Sequence, residues 1–298
     1  MKRRKQSTLP LHLMLLPAVV FLSIYNYLPM IGNVMAFQRF NPVRGFFGSR
    51  WTGMENLNYV FTMPDFPSVL WNTFFIAIMK MAAGILIPVF FALLLNEVRS
   101  QRYKRTLQTI IYFPHFLSWV ILVSMLVDIL SPSTGIIGLA MRAVGLKPVY
   151  WLGDPQVFPY TLVLTETWKE FGFGTIVYLA ALTAIDPNLY EAAMIDGASR
   201  MQQTRYVTIP GILAVVMLMA ILSMGNILNA GFDQVFNLYS PQVYSTGDIL
   251  DTLVYRLGIE DVQFGVATTV GLFKSLVSFV MLVISYTLAY KYTDYRVF

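Results

Sequence analysis

The chain has 298 residues, of which 56% are hydrophobic, 15% aromatic and only 12% charged, with a formal net charge of +5. A soluble domain carries about 25% charged residues, so this composition points to a protein held in lipid and excludes an ordinary water-soluble enzyme. With no cysteine and only two histidines, His12 and His115, disulfides, thiol nucleophiles and histidine-rich metal sites are excluded, and no metal is expected.

A helix needs about 20 mostly apolar residues to cross a bilayer. Six stretches qualify, roughly 11–37, 70–96, 106–130, 158–184, 207–229 and 264–290. Each is expected to be helical, because backbone groups in lipid must pair with one another. The predicted fold class is therefore an all-α membrane protein with six transmembrane helices in a single domain, 1–298. A short tail, 1–10, precedes the first span. That span is not expected to be a cleaved signal peptide: it is long, contains Pro17 and Pro29, and lacks a small-x-small site before Gln38.

The linking segments 38–69, 131–157 and 230–263 are rich in Pro, Gly, Trp and Tyr. Phe46, Phe47, Trp51, Tyr150 and Trp151 suit anchoring at headgroup depth. The third segment is acidic, with Asp233, Asp248, Asp251, Glu260 and Asp261 against Arg256 alone, and is expected to be a solvated loop. Lys and Arg fix the orientation. Twelve lie on one side: Lys2, Arg3, Arg4, Lys5, Arg99, Arg102, Lys104, Arg105, Arg200, Arg205, Lys291 and Arg296. Six lie in the longer segments opposite, so both termini are expected in the cytoplasm and those three segments outside.

Ionisable groups inside spans are costly and therefore candidates for function. Glu166, Lys169 and Glu170 fall on one face of the fourth span, beside Trp168. Lys169 can neutralise one carboxylate, leaving that face net negative. The face can line a water-filled path or form structural ion pairs with neighbouring spans; both readings stand. Asn226 and Asn229, at the end of the fifth span, are candidate path-lining residues or interhelical hydrogen bonds. Asp128 and Lys274 lie near span ends, where snorkelling explains them. His115 is expected to be packed or interfacial rather than a ligand.

The loop 185–206 is the most specific feature. Asp186 can cap a helix that starts at Pro187 and runs to about Gln203. Ala192, Ala193, Gly197 and Ala198 are small enough for another protein to approach the backbone. Glu191 is expected in the first turn, where it suits the helix dipole and could meet a partner's arginine or lysine. Asp196 and Arg200 lie four apart and can bridge along the helix. Gly197 should end or bend its first part, and Pro210 marks the return to the membrane. An amphipathic helix lying on the lipid surface is the alternative, but it gains nothing from small residues.

Glu191-Ala192-Ala193, then Gly197, then Val207-Thr208-Ile209-Pro210, resembles the cytoplasmic signature of permeases in binding-protein-dependent ABC importers. Val207 and Ile209 replace the family's usual Ile and Leu. The strings Leu93–Ser100, Pro114–Trp119, Trp168–Gly172, Asn229–Gln234 and Ala267–Ser275 look like the polysaccharide and complex-oligosaccharide branch of carbohydrate permeases. The resemblance implies a type I ABC importer permease that works by alternating access and performs no covalent chemistry. It also implies four kinds of partner: a second homologous permease, two cytoplasmic ABC ATPase subunits, an extracellular or periplasmic solute-binding protein, and membrane lipids. Nucleic acid is not among them, since no basic water-facing stretch exists.

No phosphate-binding glycine loop followed by lysine occurs, so this chain is expected to bind no cofactor, with ATP and magnesium held by the ATPase subunits. In such a permease the 158–184 face could accept sugar hydroxyls while an aromatic ring stacks on a pyranose. A net negative path would argue mildly against an acidic sugar. Two rivals from other classes are an ion-coupled secondary transporter and a membrane enzyme. The first leaves the 185–206 loop unexplained and lacks the common inverted repeat; the second lacks a convergent catalytic set. A permease for another organic solute also fits.

Overall fold

The computed structural model describes residues 9–293, and side chains within 12–287. The predicted tail 1–10 lies outside the described residues up to residue 8, as do Lys2, Arg3, Arg4, Lys5 and Arg296. Among the described residues, the regular structure is helical apart from one two-stranded hairpin. Four helices among the described residues are long and apolar enough to cross a bilayer by themselves: His12–Phe37, Phe66–Glu97, Arg200–Met224 and Phe264–Thr287. Helix Phe158–Thr183 has 26 residues, about 39 Å at 1.5 Å per residue, enough for a hydrocarbon core of about 30 Å. Its Glu166, Lys169 and Glu170 keep it out of the purely apolar group.

Contacts divide the chain into two units, one of residues up to 63 plus 254–273, the other 64–253 plus residues from 274 onward. In the first unit, helix α1 (Leu9–Leu22) continues through a π turn and a 3-10 turn to Phe37. It exposes Met14, Phe21, Tyr25 and Ile31, as a lipid-facing helix does. Strands β1 (Gln38–Arg39) and β2 (Arg50–Trp51) then pair antiparallel, Gln38 opposite Trp51 and Arg39 opposite Arg50. Helix α2 (Glu55–Thr62) ties the hairpin down, because Asn56 Nδ2 donates to Ala36 O at 2.8 Å and Gln38 O at 3.0 Å.

The second unit contains α3 (Phe66–Glu97), α4 (Gln101–Tyr112), α5 (Trp119–Leu130), α6 (Ile136–Ala143), α7 (Phe158–Thr183), α8 (Pro187–Ile195), α9 (Ile209–Met224) and α10 (Phe232–Leu238). Helices α11 (Leu250–Tyr255) and α12 (Phe264–Thr293) each begin in one unit and end in the other. Helices α3 and α7 run parallel and form the main packing pair. At one end Ile76 and Ala77 meet Phe158 and Leu162, and at the other Ala92 and Leu95 meet Tyr178, Leu179 and Leu182. That second cluster includes Ile212, which brings the start of α9 and the 186–208 loop to the same end as Glu97.

The expected single span 106–130 is not one straight helix. Segments Gln101–Phe116 and Trp119–Leu130 meet at 103°. Pro114 lacks a donor, the chain tightens to a 3-10 turn, and Ser118 Oγ restarts the helix by accepting from Ile121 N at 3.4 Å. The fifth span ends at Met224 rather than 229, in turns rather than helix.

The segment 230–263 is also not the solvated loop expected from its acidity. It folds into short helices, and Val243, Ile249 and Leu250 are fully buried. Its backbone is pinned from α3: Asn72 Nδ2 donates to Ser245 O at 3.1 Å, and Leu250 N donates to Thr73 Oγ1 at 2.8 Å. Asp248, 3% exposed, accepts from Thr252 Oγ1 at 2.7 Å. Asp251 pairs with Lys274 at 2.5 Å, so Lys274 is neutralised by a partner rather than snorkelling.

One close approach fixes the α4–α7 contact. A Cβ at Gly172 would strike the backbone oxygen of Ile111, so glycine is what lets these helices touch. Gly172→Leu should force them apart and destabilise by roughly 1–3 kcal/mol or more, read as a lowered melting temperature of the purified protein. Wild-type melting of that variant would show the contact to be dispensable.

Candidate functional site

Two groups of residues stand out, one in the 186–210 loop and one within α3 and α7. In the loop, Asp186 caps α8 as expected: its Oδ1 accepts from Asn188 N at 2.9 Å, and Pro187 occupies the first helical position. Glu191 is the fifth residue of α8, not in its first turn, and stands exposed on the second. The helix stops at Ile195. Gly197 adopts φ +76°, and Ala198 N closes the turn onto Ala193 O at 2.9 Å. Ser199 and Gln202 then form a capping box that starts the short helix Arg200–Gln203.

The break falls where Gly197 was expected to end or bend the helix, and it removes the Asp196–Arg200 bridge along one face. Arg200 turns instead to Glu97 at the end of α3, at 3.4 Å. Both side chains are exposed, so this pair contributes about 0–1 kcal/mol. Tyr190 Oη lies 3.0 Å from Thr208 Oγ1 and fastens the loop to the base of α9. Pro210 sits in the first turn of α9.

No residue of α8 is buried. Leu189, Met194 and Ile195 are 53%, 57% and 87% exposed, flanking the small Ala192 and Ala193. Apolar side chains gathered on a short polar loop mark a surface that another protein covers.

The membrane group is larger than the sequence suggested. Lys80 of α3, its side chain 8% exposed, lies 3.5 Å from Glu166 of α7. Lys80 Nζ donates to Ala230 O at 2.6 Å and to Gln234 Oε1. Gln234, fully buried, donates in turn to Leu162 O at 2.9 Å and Thr165 Oγ1 at 2.7 Å. One turn along α7, Lys169 Nζ lies 2.5 Å from Glu170 Oε1 and donates to His115 O at 3.1 Å. The other oxygen of Glu170 meets His115 Nδ1 at 2.6 Å. His115 stacks flat on Phe173, with ring centroids 4.0 Å apart, and Lys169 lies 5.7 Å from the Trp119 ring centroid.

The two carboxylates are thus met by two lysines, and the expected net negative face is balanced. Lys80 comes from another helix, which a reading of α7 alone does not supply. A cavity of about 180 Å³ opens beside the cluster, lined by Lys80, Gly84, Glu166, Thr167, Glu170 and Phe173. Lys169 is buried behind it and Trp168 is 46% exposed, so neither is a lining residue there. Asn226 and Asn229 lie exposed in the turn after α9. Asn229 Oδ1 accepts from Gly231 N at 3.3 Å, shaping the turn whose Ala230 carbonyl holds Lys80. Gly231 has φ +89°, and a Cβ there would come within 2.9 Å of Lys80 Nζ.

Sequence reading singled out Glu166, Lys169 and Glu170 but not their partners. An intramembrane lysine, Lys80, was a visible signal; His115, Trp119 and Gln234 were marked only by lying in the strings Pro114–Trp119 and Asn229–Gln234, which say nothing of their contacts.

Residues 84–294 match the family model for the binding-protein-dependent transport system inner membrane component. The polygalacturonan/rhamnogalacturonan transport system permease protein YteP of Bacillus subtilis is 38% identical over 284 residues, covering 95% of this chain and 88% of that one. Protein LplB of the same organism is 39% identical over 272 residues, covering 91% and 86%. Among solved structures, the chain superposes with a TM-score of 0.88 on a chain of a bacterial ABC transporter involved in the import of the acidic polysaccharide alginate, at 36% identity and 96% coverage of each. A bacterial alginate ABC transporter in complex with alginate pentasaccharide-bound periplasmic protein gives 0.89, at 35% identity and 97% coverage of each. The fold is that of a type I ABC importer permease, and the exposed 186–210 loop sits where the sequence signature lies. The protein belongs to the binding-protein-dependent transport system inner membrane components, as a multi-pass, non-catalytic permease subunit.

Proposed function

We propose that this permease carries oligosaccharides or polysaccharide fragments, delivered by an extracellular binding protein, into the cytoplasm by alternating access. Six spans with both termini in the cytoplasm, a second homologous permease beside it and two ABC ATPase subunits beneath it complete the proposed assembly. The ATPases hold ATP and magnesium. Glu191, Ala192, Ala193, Asp196, Gly197, Arg200 and Pro210 form the coupling surface they grip. The single observation that carries the coupling role is the wholly unburied α8, with apolar and small residues on a loop outside the spans.

The proposed path passes the α3–α7 charge cluster, where Glu166 and Glu170 offer acceptors and Lys80 a donor. Balanced charge there removes the objection to acidic sugars. Relatives named for polygalacturonan and alginate favour an acidic polysaccharide fragment as cargo.

Reconstitution with the cognate binding protein, partner permease and ATPase tests the reading. Tetragalacturonate or another oligosaccharide bound to the receptor should stimulate ATP hydrolysis and accumulate inside proteoliposomes. Stimulation by an amino acid or peptide alone, with no saccharide active, would end the carbohydrate reading.

A further inference from the structure

The hairpin of the first unit carries three arginines that no acidic side chain among the described residues neutralises. Glu55 is the first acidic residue of the sequence, so the segment Gln38–Trp51 holds Arg39, Arg44 and Arg50 with no internal counter-charge. All three are exposed, and none has an ion-pair partner among the described residues. Arg39 and Arg50 are directly opposite each other across the ladder. Like charges in that position repel and weaken the strand pair. On the proposed orientation the hairpin lies outside, where positive charge also runs against the topological preference. A fold that retains two such unfavourable features in one short hairpin points to an anionic ligand.

The surroundings specify which anion. Beside Arg39 lies an open cleft of about 440 Å³, within the unit, lined by Gln38, Phe40, Glu55, Asn56, Tyr59 and Phe264 among others, so that its one carboxylate is an acceptor for sugar hydroxyls while the arginines hold the only positive charge there. That volume falls in the range of small-molecule sites, about 300–1,000 Å³. Amide groups and ring faces side by side suit a pyranose, whose hydroxyls seek hydrogen bonds and whose C–H face seeks an aromatic ring. Trp51, 62% exposed and stacked on Phe37 at 5.8 Å, presents a further ring at the same hairpin.

Gln38 is 6% exposed; its Nε2 donates to Phe46 O at 2.9 Å, while its Oε1 is buried without a donor. Such an orphaned acceptor is unfavourable unless a ligand supplies the proton. Val262, also at the cleft, is the one non-glycine residue with positive φ, +56°, among the described residues. Strain of this kind gathers at binding sites. A phospholipid headgroup would use the arginines but not the amides and rings.

We infer that the hairpin arginines Arg39, Arg44 and Arg50, with the cleft lined by Gln38, Phe40 and Tyr59, bind a uronate unit of an acidic polysaccharide on the external face. The guanidinium groups take the carboxylate and the cleft takes the ring. The inference rests on the carbohydrate reading above and adds a receiving site separate from the membrane charge cluster. It places recognition of the acid group before the sugar reaches the spans.

The test uses the assembled transporter in phosphatidylcholine nanodiscs, titrated with tetragalacturonate and with neutral maltotetraose. Arg39→Gln/Arg50→Gln should weaken tetragalacturonate binding by about tenfold or more and flatten its salt dependence. Maltotetraose binding should stay as in wild type. Arg39→Lys/Arg50→Lys should recover part of the affinity. Because the substitution relieves repulsion, the glutamine variant should melt at or above the wild-type temperature, which separates lost binding from lost folding.

Unchanged tetragalacturonate affinity in the variant, or none in the wild type, would overturn the inference. So would a defect seen only in discs containing anionic lipid, which marks a lipid site. A defect confined to docking of the binding protein would assign the arginines to a protein contact and overturn it equally. Failure of the carbohydrate reading looks different: wild-type transporter then shows no saccharide-stimulated ATP hydrolysis at all, whichever hairpin is present.

Discussion

Gly197→Val should abolish coupled uptake while leaving the spans folded. Gly197 has φ +76°, and nothing lies within 4 Å of a Cβ built on it. The expected effect is therefore conformational and not a clash. A β-branched residue in the left-handed region costs about 1–2 kcal/mol, enough to shift a small surface turn to another shape. That turn sets the angle between α8 and the capping box at Ser199, and with it the direction in which Ala192 and Ala193 face.

Glu191→Lys tests the same surface without touching the backbone. Glu191 is exposed in the second turn of α8, so its reversal should leave melting unchanged and act only on the partner. In both variants, receptor-stimulated ATP hydrolysis should fall to the basal rate. Uptake should drop by about 100-fold, equivalent to ~2.7 kcal/mol of lost docking energy. Wild-type stimulation and uptake in both would remove α8 from the coupling path.

Lys80→Met should be among the most damaging single changes in the spans. It strands Glu166 in a low-dielectric setting and leaves Ala230 O and Gln234 Oε1 without their shared donor. Breaking a buried ion pair by removing one partner costs about 3–5 kcal/mol. At about 2–4 °C per kcal/mol for a domain of this size, the melting temperature should fall by roughly 10 °C.

Lys80→Met/Glu166→Gln, which removes both charges, should regain most of that stability, because a neutral pair carries no stranded charge. The double variant should still import poorly if the charges line the path. Full recovery of uptake in it would assign the pair to structure alone. Lys80→Met melting with the wild type would show that Glu166 finds other compensation.

The spans were legible because bilayer thickness imposes a length and lipid imposes apolarity, both one-dimensional properties. Helices Phe66–Glu97 and Phe158–Thr183 therefore fall close to the segments expected from hydropathy. The start of α8 was equally readable, since Asp186 and Pro187 act on their immediate neighbours. Glu191 was misplaced by one turn, although the same cap fixes its position: counted from Pro187 it is the fifth helical residue and so lies past the first turn.

Other expectations failed for non-local reasons. The 103° bend at Leu117–Ser118 depends on Pro114, but proline is also tolerated in straight spans. The 230–263 segment reads as acidic and solvated, yet Asp248 and Asp251 find Thr252 and Lys274, and its apolar residues fill a core with α3 and α7. Partners distant in sequence decide whether a charge is solvated or satisfied.

The sequence by itself determined that the chain lives in a membrane, which segments are long and apolar enough to be candidates for crossing it, and which polar loop carries the small residues. Each of these follows from composition or from spacing within one helix. Only the tertiary structure decided that Lys80 answers Glu166, that His115 and Lys169 share Glu170, and that Arg39 faces Arg50. Charge pairing is a property of through-space distance, and helices from separate parts of the chain must pack before that distance exists.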